Sequence, residues 1–92
     1  MKTRIKIKGD NKQVREFASV VANTIENNPS YYSNVITGEP EYTKFYEVIR
    51  RFVVLQPDRR GVDVRELLSD AKELADSKEV EYDALSFNIV DD

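Results

Sequence analysis

The stretch from Glu41 to Val54, EYTKFYEVIRRFVV, decides how the rest of the chain is arranged. At helical spacing, Tyr42, Phe45, Tyr46, Val48, Ile49, Phe52 and Val53 cover one wide arc, while Lys44, Glu47, Arg50 and Arg51 lie outside it. Thr37-Gly38-Glu39-Pro40 leads in with turn chemistry and a proline suited to a first helical turn. This spacing predicts a central helix that touches more than one neighbour, with Phe45 and Phe52 in the core.

Toward the N-terminus, Thr3, Ile5 and Ile7 alternate with Lys2, Arg4, Lys6 and Lys8, the period of a half-buried strand with one wholly basic face. Gly9 ends it. Asp10, with Gln13 three residues on, gives a helix-capping pattern, and Val14, Phe17, Ala18, Val21 and Ile25 follow at helical spacing. That helix runs from about Asn11 to Asn27 and stops before Pro29. Ser30 to Thr37 reads equally well as a short strand or as loop.

Toward the C-terminus, residues 57–61 (PDRRG) form a loop. Asp63 and Glu66 repeat the capping spacing, and Val64, Leu67, Leu68, Ala71, Leu74 and Ala75 make the apolar stripe of a third helix reaching about Asp76. Val80 and Tyr82 then alternate with acids, and Leu85, Phe87 and Ile89 continue on the opposite parity. A bulge or tight turn at Asp83-Ala84 is therefore expected in a terminal strand. The order strand, helix, possible strand, helix, helix, strand predicts a single α+β domain of two layers, spanning residues 1–92. In it the terminal strands pair in a small two- or three-stranded sheet covered by three helices.

The chain has 92 residues, 40% hydrophobic and 34% charged, a composition on the globular side of the disorder boundary. It contains neither Cys nor His, which excludes thiolate nucleophiles, disulfides, zinc sites of Cys/His type and imidazole catalysis. Gly9, Gly38 and Gly61 stand alone and build no phosphate loop, and no pair of carboxylates is singled out. No enzyme, cofactor or metal is expected. The longest apolar run, Phe52 to Leu55, is far too short to span a membrane, and the opening residues lack a secretory apolar core. The expected setting is soluble and cytoplasmic.

The formal charge of −3 conceals a segregation. Residues 1–15 carry six basic side chains against Asp10 alone, and residues 66–92 carry nine acids against Lys72 and Lys78. Three readings of function follow. The first is a small regulatory or accessory module, of inhibitor type, that binds another protein. Its expected contacts are Tyr31, Tyr32 and Tyr46, since Tyr is favoured at interfaces, with Glu66, Asp70, Glu73 and Asp76 on the third helix. The second is nucleic-acid binding through Lys2, Arg4, Lys6 and Lys8, or through Arg50, Arg51, Arg59 and Arg60. Against it, Glu79, Glu81 and Asp83 are expected to lie opposite the basic strand and neutralise it. The third is self-association, as a homodimer or a larger structural assembly, across an edge strand.

Overall fold

The computed structural model describes residues 2–55 and 63–91. Strand β1 (Lys2–Asp10) leads into helix α1 (Asn11–Asn27). Three strands follow, β2 (Val35–Thr37), β3 (Glu41–Tyr42) and β4 (Glu47–Leu55), then helix α2 (Val64–Ser77) and strand β5 (Ser86–Asp91).

The expected fold is corrected on this point. Among the described residues there are two helices rather than three, and the sheet has five antiparallel strands rather than two or three. The stretch at 41–54 is not a helix but most of a hairpin, β3 and β4. The physical reason lies in β4, which is central and apolar on both faces. Val48, Phe52 and Val54 are buried on one side, and Ile49 and Val53 are half-buried on the other. Apolar side chains on both faces mimic a wide helical arc, and the β-branched density of Val48, Ile49, Val53 and Val54 tips it to strand. Phe45, expected in the core, is 79% exposed in the hairpin turn.

The spatial order is β2-β4-β1-β5, with β3 also pairing β4. If β2 and β3 are taken as one interrupted strand, the chain runs β-α-β-β-α-β. Each helix then connects two strands that have a third between them, which is the split, ferredoxin-like arrangement. The terminal strands pair, Thr3 opposite Asp91 through Lys8 opposite Ser86. The strand expected around Val80 and Tyr82 is instead a turn, closed by Leu85 N–H donating to the Tyr82 carbonyl, and β5 begins after it. The doubtful stretch from Ser30 divides into turns up to Asn34 and the short strand β2. Residues 57–61, with Arg59 and Arg60, lie outside the described residues.

Both helices pack on one face of the sheet. Ile5, Ile7, Val48, Phe52 and Val54 meet Val14, Phe17, Val21, Val64, Leu67 and Ala71 in the core. The Phe17 ring packs against Phe87 at 5.4 Å and Tyr82 at 5.5 Å, and the Lys72 ammonium lies 4.8 Å from the Phe87 ring centre. Asp10 caps α1 by accepting from the N–H groups of Lys12 (2.9 Å) and Gln13 (3.1 Å). Asp63 caps α2 through Arg65 and Glu66. The Val64 N–H also donates to Thr3 Oγ1 at 3.3 Å, so a buried threonine of β1 fixes where α2 starts.

Candidate functional site

With both helices on one side, no described helix or strand covers the other face of the sheet, and the register decides what it displays. Ile36, Val53, Arg4 and Val90 lie side by side across four strands. Arg51, Lys6 and Asn88 form the next row, and Glu41, Ile49, Lys8 and Ser86 the one after. Leu55 stands beside Lys2 at the far end. Ile36, Leu55 and Val90 are exposed large apolar side chains, with exposures of 50%, 41% and 39%. A depression of about 250 Å³ lies among Arg4, Lys6, Arg51, Asn88 and Val90.

The expected neutralisation of this stripe is corrected. Strand β5 presents Asn88 and Ser86 to Lys6 and Lys8, whereas Glu79, Glu81 and Asp83 lie in the turns before the strand begins. Two acids of the hairpin instead pair with cations of this face. Lys8 approaches Glu47 at 3.7 Å, and Arg51 pairs with Glu41. Lys6 makes no ion pair among the described residues. The arginines expected to act together are divided by the strand pleat. Arg51 faces out, while Arg50 turns toward the helix side, its guanidinium carbon 6.0 Å from the Phe52 ring centre and its buried Nε without a hydrogen-bond partner among the described residues.

The tyrosines expected at a partner contact fall into two groups. Tyr31 and Tyr32 are packed edge to face at 5.0 Å, and their hydroxyls donate to Glu66 and Asp70 on α2. Tyr32 is buried, and burial followed by the bond to Asp70 pushes its hydroxyl well above the ordinary tyrosine value. Glu66 and Asp70, a like-charge pair one turn apart, are thus acceptors that hold the 28–34 segment onto α2. Asp76 accepts from the Tyr82 hydroxyl at 3.0 Å, and Glu73 is exposed.

Tyr46 belongs to the second group, 93% exposed at the hairpin tip. Phe45 and Tyr42, at 79% and 73%, are exposed with it. Tyr46 has a φ of 62°, a left-handed conformation unusual for a bulky residue. The turn is held by Thr43 Oγ1, which accepts from the N–H groups of Phe45 and Glu47. The apolar members of the open face and the exposure of Phe45 and Tyr42 escape a helical reading. The alternation Ile49, Arg51, Val53, Leu55 is the signal that reveals the former.

A second depression, about 360 Å³, lies between the C-terminal halves of the helices, among Thr24, Asn28, Tyr32, Asp70 and Glu73. Asp70 accepts there from the Tyr32 hydroxyl. Among the described residues no cluster of metal-ligating side chains occurs, and no helix is long and apolar enough to cross a membrane.

No protein-family model matches the sequence, and no curated protein matches it. Among solved structures, the chain is similar to the de novo designed protein Foldit4, with a TM-score of 0.60 and 12% identity, covering 99% of this chain and 96% of that one. A weaker likeness, TM-score 0.46 and 13% identity, is to AtUAH in complex with glyoxylate, covering 98% of this chain and 26% of that one. The likeness to the designed protein is one of fold.

Proposed function

We propose that the chain is a non-catalytic protein-binding module of regulatory or accessory type, and that it meets an acidic partner protein through its uncovered sheet face and aromatic hairpin tip. One observation carries this reading: the row Ile36, Val53, Arg4, Val90 crosses the sheet with no helix over it among the described residues, flanked by Lys6 and Arg51. Apolar side chains interleaved with Arg have the composition of a contact surface, and the exposed Phe45 and Tyr46 stand at the hairpin tip, at the Glu47 end of β4. The acids of α2 recede from this role because three of the four accept tyrosine hydroxyls. A cytoplasmic setting belongs to the same proposal and is supported by the absence of Cys.

Nucleic-acid binding is the second reading, favoured by the position of Asn88 and Ser86, rather than acids, beside Lys6 and Lys8. Cations about 7 Å apart along the strand suit a phosphate backbone. No aromatic stands among the open-face positions of β1, β4 and β5, so base stacking lacks a platform there.

The test compares wild type with Lys6→Glu/Arg51→Glu and with Glu73→Ala in capture from the source cell, alongside salt titrations with single- and double-stranded DNA and RNA. Loss of an acidic protein partner by the sheet-face variant only, with no nucleic-acid binding at low salt, is the expected result. Tight nucleic-acid binding with a steep salt slope overturns it in favour of the second reading.

A further inference from the structure

We propose that β5 pairs with β5 of a second copy of the chain, joining the two sheets edge to edge around a two-fold axis at Asn88. The two edges of the sheet differ. The β2/β3 edge is short, broken at residues 38–40, and carries Pro40, Glu39 and Glu41, all features that discourage strand addition. Strand β5 has six residues and no proline, and its one charged side chain, Asp91, stands at its end with the carboxylate bonded to Arg65. Its register against β1 runs without a bulge from Ser86 to Asp91. It is the unguarded edge.

Self-pairing is favoured by the sequence of the strand. Side chains directly opposed in an antiparallel pair share a sheet face, so a two-fold axis must pass at a residue rather than between two. With the axis at Asn88, Phe87 opposes Ile89 of the partner subunit on the helix side, and Ser86 opposes Val90 of the partner subunit on the open side. Phe87 and Ile89 are half-buried in one copy and would gain cover from the other. With the axis at Ile89, Phe87 would instead face Asp91, whose carboxylate is taken by Arg65 at 2.9 and 3.2 Å. The Asn88 axis opposes no like charges and repeats the apolar pair twice, as an isologous interface requires. The uncovered faces of both copies then become continuous, with the two β1 stripes about 14 Å apart. This inference is independent of which partner the open face takes.

The experiment measures the mass of the full chain by sedimentation equilibrium as concentration rises. The expected result is a doubling of mass. Asn88→Glu places a carboxylate beside Lys6 in its own copy but against its twin across the axis, so the doubling should disappear while the thermal melt is retained. Because the chain has no Cys, Asn88→Cys should give a disulfide-linked dimer on mild oxidation, whereas Ser86→Cys, displaced from the axis, should not. A single-copy mass throughout overturns the proposal. So does a doubling that survives Asn88→Glu.

Discussion

The Tyr32 hydroxyl, on the segment after α1, donates to the carboxylate of Asp70 on α2, joining residues 38 positions apart in sequence. Tyr32 is 3% exposed and Asp70 half-buried, so the bond is partly shielded from water. Tyr32→Phe should cost about 1–3 kcal/mol, because Asp70 loses its donor while staying partly buried. Urea denaturation of wild type, Tyr32→Phe, Asp70→Asn and the double variant checks this. Additive costs would show that the two side chains are not coupled.

The same bond gives an alkaline signature. The folded-state value of Tyr32 is raised above the ordinary 10.0, so its contribution is complete below that value and is lost as pH rises through the higher folded value. Denaturation midpoints of wild type should therefore fall above pH 10 more steeply than those of Tyr32→Phe. Parallel curves would refute the assignment.

An acid signature comes from the other end of α2. The Arg65 guanidinium, bonded to both oxygens of Asp91, holds that carboxyl below its ordinary 3.8. Its contribution is present above 3.8 and is lost as pH falls through the lower folded value. Both groups are exposed, so the expected effect is small. Replacement by Asp91→Asn should flatten the stability profile in that acid range and leave the neutral region nearly unchanged.

Gly9 lies where β1 meets the core. A Cβ there would stand 2.5 Å from Leu85 Cδ2 and 3.4 Å from Val14 Cγ2. Gly9→Ala should destabilise by about 1–3 kcal/mol through overpacking, since Leu85 is itself buried and must change rotamer. Combining it with Leu85→Ala should cost less than the sum of the two single changes in thermal melts.

The hairpin tip should behave in the opposite way. Tyr46→Gly removes a left-handed tyrosine that is almost wholly exposed, so stability should hold or rise by up to about 1 kcal/mol. Phe52→Ala, emptying a fully buried site, should cost about 3–5 kcal/mol. If the proposed contact surface is correct, Tyr46→Gly weakens partner capture without loss of stability.

The legible parts of the sequence were those with one buried face. The alternation of β1, the cap at Asp10 and the stripes of α1 and α2 each match one period, and the structure has those elements at nearly those bounds. Strand β4 was illegible for the opposite reason: Ile49, Val53 and Leu55 put apolar side chains on the face that the helices leave open, which erases the alternation that marks a strand. The parity change at Asp83-Ala84 reads as a bulge or a tight turn, and the structure has the turn, with β5 beginning after it. For the candidate site, the basic stripe was visible and its surroundings were not. Which residues stand beside Lys6 depends on register, and the acceptors of Tyr31 and Tyr32 lie 35 and 38 positions away.

The uncovered sheet face has a consequence for encounter. Cations concentrate on that side, and the acids of α2 belong to the opposite layer, so the molecule carries a dipole across its layers. Its shortest dimension is 18 Å, longer than the roughly 8 Å over which physiological salt screens a charge. An approaching body therefore senses the nearer side and little of the farther one. The formal −3 is not what a partner meets. An acidic surface is therefore expected to meet the molecule sheet-first and a basic one helices-first.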